Sequence, residues 1–492
     1  MTQAALAAGV PAAPTGMPLV GGSQHGYPGA VRSARAYLAC LAGLAVVIVA
    51  TAVARADPPR ASQARMIKGP YLQNLAPTSV TVMWHLDEAA PARVVVEGPG
   101  GRRVVEVPTA RIGEVTVDRL VPSSRYRYRV ETGGQTWRGD LTTAPDIGAD
   151  VPFSFIVLGD TRSGLDAHRR VIERVAQEVP DFVVGTGDMV DDGSNQDQWQ
   201  QFFDVEHQLL RDNVYFPSIG NHDRQGRGRT ADTYRAFFAV PDNGGDTERY
   251  YAFSYAAARF LVLDSNEYSF ALSDQTAWLE RELIAARQDP AVRHVFAVMH
   301  HPPFSISLHG GNRDLRERWT PLFEKYQVSA VFSGHDHVYE RAEHNAIHYF
   351  VSGGGGAPLY PRRPNPSPVD LEAVKRFERV FHFLRVAVTG DRVEVTAVRT
   401  DGTVIETTAW TTGATSPERR SPEVVVAGAT GSARLGQTAN AAGARTRDEP
   451  VSAPPIATPP PQAAAGSLVW LGLGGVGLLL AAAVAVVLTL RR

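Results

Sequence analysis

The sequence predicts a layered α/β domain, preceded by a small all-β sandwich and followed by a single transmembrane helix. Three patterns predict this fold class. Short alternating strands recur from residue 67 to about residue 145, apolar strands alternate with helical segments from residue 153 onward, and residues 468–490 are continuously apolar. A chain of 492 residues has room for two or more domains with their own cores.

The overall charge of the chain identifies no partner. The formal net charge is -2, so nothing indicates a surface for nucleic acid, and no nucleic acid binding is expected. Cys40 is the only cysteine, and it falls within the predicted export signal. The mature protein would therefore have no disulfide, and any metal must be held by oxygen and nitrogen atoms.

Residues 1–56 are typical of a signal peptide. Arg32 and Arg35 precede an apolar run that ends in small residues at Ala56. We expect cleavage after Ala56. An uncleaved anchor remains an alternative, as does a true start at Met17.

The other end of the chain predicts a membrane anchor. Residues 467–490 are long enough to cross a bilayer, which takes about 20 apolar residues. Arg491 and Arg492 follow, and they favour a cytoplasmic C-terminus. Residues 413–466 are rich in Ala, Pro, Ser, Thr and Gly and predict a disordered stalk. The expected localisation is therefore extracytoplasmic, with secretion through the signal peptide and anchoring to the cell membrane by the C-terminal helix.

Residues 67–146 predict the all-β domain. Val121 and Pro122 followed by Tyr126 resemble the tyrosine corner of fibronectin type III domains, and Trp84 is expected in the core. The predicted strands are 79–84, 92–96, 104–107, 115–120 and 126–131.

Residues 152–411 predict the α/β domain. Helices are expected at 165–179 and 274–288, where apolar residues recur at helical spacing or follow a capping serine. The predicted strands are 155–158, 182–185, 216–219, 260–263, 294–299, 330–332, 380–389 and 393–398.

Polar residues suited to metal binding follow five of these strands. The carboxyl ends of strands in an α/β sheet open onto one crevice, so residues far apart in sequence can meet there. Carboxylate, amide and imidazole groups suit hard or borderline divalent ions and ferric iron, and a two-metal site fits them best. The residues are Asp160, Asp188, Asn221 with His222 and Asp223, His300, and His335 with His337.

Each of these pieces has an ordinary interpretation when it is taken alone. Gly-Asp and Gly-Asn are common turn pairs, and a single histidine at a strand end is more often structural than a ligand. Five such pieces in order make coincidence a remote explanation.

The chain resembles the calcineurin-like metallophosphoesterases, and within them the purple acid phosphatase-like branch. The run 334–341, with the sequence GHDHVYER, matches the final motif of that branch. The run 69–73, with the sequence GPYLQ, lies near the start of a sandwich domain like the one that precedes its catalytic domain. The resemblance covers residues 67–411 and implies the fold and the class of metal.

The resemblance also implies a role for each site residue. It makes Asp188 the carboxylate that bridges two ions of iron, zinc or manganese. The ligands of the first ion would be Asp160 and His337, and those of the second would be Asn221, His300 and His335.

Two further histidines receive catalytic roles from the resemblance. His222 would stabilise charge on the phosphoryl oxygens or help to protonate the leaving group. His309, nine residues after His300, would act as the general acid. An exposed loop histidine is the alternative for His309.

The sequence departs from the family pattern at two positions. Calcineurin-like enzymes have a histidine where this chain has Arg162, and purple acid phosphatases have a ligand tyrosine where it has Asp191. The first ion could be held by fewer protein ligands, by water or by Asp191. Because a tyrosinate ligand is absent from the pattern, no purple colour is expected. Arg162 could clamp the phosphate, and a surface salt bridge is the alternative.

The expected activity is hydrolysis of small phosphate monoesters by attack of a metal-bound hydroxide. A phosphodiesterase that acts on nucleotides or phospholipid head groups is one alternative. A non-catalytic binding protein at the cell surface is the other. The oligomeric state stays open.

Overall fold

The structure is a computed structural model that describes residues 64–226, 230–243, 248–266, 272–412 and 443–447. All of them fall within one compact unit that begins at Ala64. The strands are β1 (Met66–Gln73), β2 (Val80–Gly98), β3 (Gly101–Val117), β4 (Arg125–Thr132), β5 (Gln135–Thr142), β6 (Phe153–Leu158), β7 (Phe182–Gly185), β8 (Tyr215–Pro217), β9 (Tyr251–Tyr255), β10 (Ala258–Val262), β11 (His294–Val298), β12 (Ala330–Ser333), β13 (Tyr339–His344), β14 (Ile347–Ser352), β15 (Val374–Glu378), β16 (His382–Thr389), β17 (Arg392–Arg399), β18 (Val404–Thr411) and β19 (Gly443–Arg447). The helices are α1 (Leu165–Val175), α2 (Gln196–Asp212), α3 (Asp232–Phe237), α4 (Leu272–Gln288), α5 (Arg313–Lys325) and α6 (Pro368–Ala373).

Two mixed sheets form the centre of the α/β region. One has the strand order β18-β17-β16-β6-β7-β8, and the other has the order β15-β13-β14-β12-β11-β10-β9. The ring of Phe155 on β6 contacts the rings of Phe260 and Phe332 on the second sheet. The two sheets therefore face each other across a shared aromatic core.

Helices cover the outer faces of both sheets. Ile156 and Leu158, which alternate with Phe155 along β6, belong to an outer core shared with residues of α1 and α2. Residues of α4 and α5 form a separate outer core with β10, β11 and β12. Strands buried on both faces need apolar residues at successive positions, and this explains the continuous apolar runs that predicted them.

The N-terminal region differs from the predicted set of short strands. The segments 79–84 and 92–96 are two parts of the single strand β2, and its neighbour β3 is equally continuous. Both strands contribute to one six-stranded antiparallel sheet, with register shifts between His85 and Ala92. The chain bends there without leaving the strand, so Pro91 is tolerated where we expected a turn.

Trp84, which was predicted for the core, and Tyr126 of the predicted tyrosine corner are both buried. The exposed fraction of Trp84 is 1% and that of Tyr126 is 2%. The hydroxyl of Tyr126 donates to the carbonyl of Pro99 (2.8 Å) and accepts from the amide of Val121 (2.7 Å). The resemblance to a fibronectin type III domain stays a prediction.

The sheet packs against the α/β layers through side-chain hydrogen bonds. The hydroxyl of Tyr71 donates to the carbonyl of Phe237 (2.7 Å), and that of Tyr128 donates to the carbonyl of Arg211 (2.7 Å). Both tyrosines are buried. The two regions are thus directly connected within the compact unit.

The predicted stalk and the predicted signal peptide fall largely or wholly outside the described residues. Within the segment 413–466, predicted as a stalk, residues 443–447 form the strand β19, which pairs antiparallel with β3. The rest of that segment lies outside the described residues, as do residues 1–56 of the predicted signal peptide.

The predicted fold class needs correction at its C-terminal end. No helix within the described part of the chain is long and apolar enough to cross a membrane. The longest helices in that part, α2 and α4, have 17 residues each and contain several charged residues. The predicted span 467–490 lies outside the described residues. The layered α/β architecture is the part of the prediction that the structure supports.

Candidate metal centre

The six predicted metal ligands lie on loops that leave strands at one end of the two sheets. Asp160, Asp188 and Asn221 follow the parallel strands β6, β7 and β8 of the first sheet. His300 and His335 follow the parallel strands β11 and β12 of the second sheet, and His337 lies on the same loop as His335. The carboxyl ends of strands from both sheets therefore meet at one site.

Two unsatisfied buried atoms define one candidate metal position. Oδ1 of Asp160 and Nε2 of His337 lie 3.4 Å apart, and neither has a hydrogen-bond partner among the residues that the structure describes. The Nδ1 of His337 faces the carbonyl of Pro358 at 2.8 Å. A carbonyl can only accept, so Nδ1 carries the proton and Nε2 presents a lone pair toward Asp160. A buried carboxylate oxygen and a buried imidazole nitrogen in this arrangement fit a cation.

Four acceptor atoms converge at a second position. Oδ1 of Asn221 lies 3.1 Å from Nε2 of His300 and 3.1 Å from Nδ1 of His335. The same Nε2 lies 3.4 Å from Oδ1 of Asp188. Nδ1 of His300 faces the carbonyl of Thr186 at 2.7 Å, so this ring also directs its Nε2 lone pair into the site when it is neutral.

The electrostatics of this position favour a positive charge. Burial lowers the pKa of His300, but the carboxylate of Asp188 outweighs that effect and raises the pKa to about 9. A proton on Nε2 and a metal cation would occupy the same place, so the two compete there.

The backbone at the site is locally strained. Asp160 and Asp188 have φ values of 57°, and His335 has a φ value of 69°. Left-handed conformations of this kind are uncommon for residues other than glycine, and they concentrate at functional sites. The loops are also tightly packed, because a side chain at Gly220 would approach Oδ1 of Asp188 to 2.1 Å.

The predicted catalytic histidines lie at the edge of this cluster. The backbone amide of His222 donates to Oδ1 of Asp188 (2.9 Å), and its Nδ1 faces the carbonyl of Asp191 (2.8 Å). The ring of His309 packs on the ring of His335 with a centroid distance of 4.3 Å, and its residue is exposed. His309 therefore contacts a candidate ligand through its ring, and His222 contacts one through its backbone amide.

Arg162 is engaged by carboxylates in a way that does not suit a free phosphate clamp. Its Nε lies 3.2 Å from Oδ2 of Asp188, and its Nη1 bonds to Oδ1 of Asp191 (2.5 Å). The hydroxyl of Ser163 donates to the same oxygen of Asp191 (2.9 Å). Asp191 is thus turned toward Arg162 and away from the role of inward-reaching ligand.

Comparison with known proteins agrees with this geometry. Residues 153–339, which contain all six predicted ligands, match the family model described as calcineurin-like phosphoesterase. The chain contains a calcineurin-like metallophosphoesterase domain.

Two curated relatives match this metallophosphoesterase domain and its surroundings. An uncharacterised protein of Mycobacterium tuberculosis is 29% identical over 322 residues, covering 54% of this chain and 60% of that protein. A purple acid phosphatase of Glycine max is 27% identical over 265 residues, covering 50% of this chain and 56% of that protein. The chain thus spans less than two thirds of the length of either relative.

A solved structure shares the fold. The purple acid phosphatase isolated from yellow lupin (Lupinus luteus) seeds aligns with a TM-score of 0.59 at 18% identity, covering 71% of this chain and 74% of that one. The likeness concerns the fold alone.

The metallophosphoesterase domain also contains site residues to which the sequence assigned no role. The carboxylate of Asp223 accepts hydrogen bonds from the amides of Asp188, Met189 and Gly220, each at 2.8 Å. Burial raises the pKa of Asp223 to about 7, and the negative charge of Asp188 adds to that effect. Asp223 therefore ties together the loops that follow β7 and β8. Its place in the run Gly-Asn-His-Asp was the available signal.

Two aromatic residues complete the surroundings of the metallophosphoesterase centre. A nitrogen of His301 lies within 4.8 Å of ligand atoms of His300 and His335, and its Nδ1 contacts the hydroxyl of Ser265 (2.9 Å). The ring of Tyr360 stacks on that of His337 with a centroid distance of 3.9 Å. Tyr360 follows a run of glycines far from any predicted motif, so no sequence pattern pointed to it.

Proposed function

We propose that the protein hydrolyses phosphate monoesters at a centre that holds two metal ions. The observation that carries the proposal is the pair of buried, unpartnered atoms on Asp160 and His337 beside the converging acceptors of Asp188, Asn221 and His300. Buried polar atoms without partners are costly, and a cation would satisfy them.

The proposed ligands divide between two positions that share one carboxylate. Asp160 and His337 would hold the first ion, Asp188 would bridge, and Asn221, His300 and His335 would hold the second. Iron, zinc and manganese are the ions proposed for this donor set, which consists of oxygen and nitrogen only. When bound, the ions supply positive charge to the phosphoryl group and lower the pKa of a water molecule toward neutrality.

His222 would bind the phosphoryl group. Because its Nδ1 donates to the carbonyl of Asp191, its Nε2 is the nitrogen left for substrate. A protonated His222 would donate from Nε2 to a phosphoryl oxygen and stabilise the charge that develops there. The hydrogen bond from its backbone amide to Asp188 fixes its distance from the metal ligands.

His309 would deliver a proton to the leaving alkoxide. Its imidazole packs on His335 at the exposed rim, where the ester group of a bound substrate would point outward. The backbone amide of His309 donates to Oδ1 of Asp336 (3.1 Å), which lies between the proposed ligands His335 and His337. The loop of His309 is thus held to the centre by the same motif that supplies two ligands.

Turnover and metal content of the full-length protein test the proposal. We expect about two metal ions per chain, loss of activity with a chelator, and faster hydrolysis of p-nitrophenyl phosphate than of bis-p-nitrophenyl phosphate. Faster hydrolysis of the diester would favour a phosphodiesterase. Less than about one ion per chain with no turnover would favour a binding protein.

The domain boundaries are also proposals. We propose a fibronectin III-like domain at 67–146 and a catalytic domain at 152–411. The contacts of Tyr126 with Pro99 and Val121 support the first. Limited proteolysis followed by mass spectrometry should release fragments that end near residue 150 and residue 412 if these boundaries hold.

We also propose that the protein is exported by residues 1–56, which carry the pattern of a signal peptide. Cell fractionation and N-terminal sequencing of the purified protein test this. A protein that retains Met1 and stays in the cytoplasm would contradict it.

A further inference from the structure

Arg162 places a nearly buried positive charge against the proposed bridging carboxylate. Its side chain is 11% exposed, and its Nε lies 3.2 Å from Oδ2 of Asp188. Oδ1 of Asp188 faces His300 on the other side. The carboxylate that would be shared by both ions is therefore already in contact with a fixed cation, since arginine stays protonated in proteins.

The carboxylate of Asp191 is not placed to bind the first metal ion and so adds no negative charge as a ligand. Its Oδ1 is bonded both to Nη1 of Arg162 and to the hydroxyl of Ser163. The side chain of Asp191 is 47% exposed, whereas those of Asp160 and His337 are 0% and 1% exposed. Asp191 thus lies on the solvent side of Arg162, and it holds the guanidinium in place from there.

The first metal position consequently has few anionic donors. It offers the carboxylate of Asp160, the neutral imidazole of His337 and a share of Asp188. Asp160 and Asp188 contribute two negative charges, and the guanidinium of Arg162 opposes them at 3.2 Å from Asp188, with its other partner Asp191 on the solvent side. Trivalent ions depend on a larger excess of anionic oxygen ligands, and their repulsion from a nearby cation exceeds that of divalent ions in proportion to charge.

Tyr360 is the phenol that could supply the missing anion. Its ring lies nearly parallel to that of His337, with an interplanar angle of 16°. It therefore contacts the proposed ligand His337 through the face of its ring and not through its hydroxyl.

We propose that Arg162 acts as a built-in counter-charge that restricts the first metal position to divalent ions. The protein would then carry a pair of divalent ions in place of a ferric–divalent pair. This inference rests on the proposed two-metal function, and it identifies the charge class of the cofactor. Arg162 is a positioning residue for Asp188 and acts on the metal through its charge.

Competition between ions in the full-length protein tests the inference. Metal-free protein is dialysed against equal concentrations of Mn²⁺ and of Fe³⁺ kept soluble by nitrilotriacetate, and the bound ions are counted by mass spectrometry. Wild-type protein should retain manganese. Arg162→Gln keeps a hydrogen-bond donor but removes the charge, and it should raise the ratio of bound iron to manganese about tenfold or more. Arg162→Lys keeps the charge and should stay close to wild type.

A second test uses the visible and electron paramagnetic resonance spectra of the wild-type protein, so it does not depend on whether a variant folds. Protein exposed to ferric iron should show neither a tyrosinate-to-iron absorption band nor a bound ferric signal. A band that Tyr360→Phe removes would overturn the inference, as would an equal ratio of iron to manganese in wild type and Arg162→Gln.

The failure of this inference is distinguishable from failure of the proposed function. Ferric iron retained together with phosphatase turnover would overturn the inference alone. A wild-type protein that retains no ion of either charge and shows no turnover would overturn the proposed function, and this inference with it.

Discussion

Asp223 shows how a residue without a proposed role in chemistry can determine the geometry of the centre. Its carboxylate accepts hydrogen bonds from four backbone amides of two loops. Asp223→Asn replaces one acceptor with an amide group that faces a donor, so we expect metal affinity to fall about 10- to 100-fold. We expect stability to fall by about 1 to 3 kcal/mol. Equilibrium dialysis and urea unfolding measure the two effects.

Asp166→Asn is the matched control for that substitution, because Asp166 is exposed on α1 and pairs with Arg169. Unchanged metal affinity in Asp223→Asn would show that the loops keep their geometry without this carboxylate.

Substitution of His222 should lower turnover without loss of metal, unlike substitution of a metal ligand. His222→Asn removes the Nε2 donor and leaves Asp188 and its neighbours in place. We expect kcat to fall about 10²- to 10⁴-fold while the metal content stays at the wild-type value. Kinetics with p-nitrophenyl phosphate and metal analysis test this prediction. His207→Asn on the exposed face of α2 is the control, and a loss of metal from His222→Asn would contradict the assigned role.

The burial of His382 leads us to expect that the protein loses stability in acid. Burial lowers its pKa to about 4, from an ordinary value of 6.5. The unfolded chain therefore binds the proton first, so stability is retained above pH 6.5 and is lost as the pH falls toward about 4. The expected loss is about 3 kcal/mol over that window.

Urea unfolding at several pH values checks the prediction. The free energy of unfolding of His382→Asn should decline less steeply through the window than that of wild type, whatever its absolute value. Parallel declines in the two proteins would show that other groups cause the acid sensitivity. His207→Asn again serves as the control, since His207 is exposed.

At the scale of elements, a buried hydrogen bond links α1 to α2. Nε2 of His168 lies 2.8 Å from Oε1 of Glu206, and both side chains are almost fully buried. His168→Leu would leave the buried carboxyl group of Glu206 without this partner, so we expect a loss of about 1 to 3 kcal/mol. The double variant His168→Leu with Glu206→Leu should recover part of that loss. Chemical denaturation measures both, and a double variant less stable than the single one would contradict the argument.

The strands of the α/β region were predictable from sequence, but those of the N-terminal sheet were only partly so. Phe155 and Ile156 are buried on opposite faces of one strand, and such double burial leaves a continuous apolar run. In β2, by contrast, Pro91 and the charged residues before it indicated a turn. The strand continues through them because register shifts absorb the irregularity, and such shifts depend on the partner strand.

At the scale of the whole molecule, the sequence predicted which residues meet but not how their neighbours are used. Asp160 and His337 come together because strand ends of two facing sheets share one edge. The bond between Arg162 and Asp191 joins residues 29 positions apart, and Tyr360 reaches His337 from a loop with no motif. Such contacts depend on the packing of loops, which local patterns do not encode.

The central proposal is that residues from both sheets bind metal ions that share the carboxylate of Asp188. Replacing Asp188 with alanine and measuring bound metal by mass spectrometry, together with turnover of p-nitrophenyl phosphate, tests that claim most directly. We expect the folded variant to lose metal and turnover together. A folded Asp188→Ala protein with wild-type metal content and wild-type turnover would contradict it.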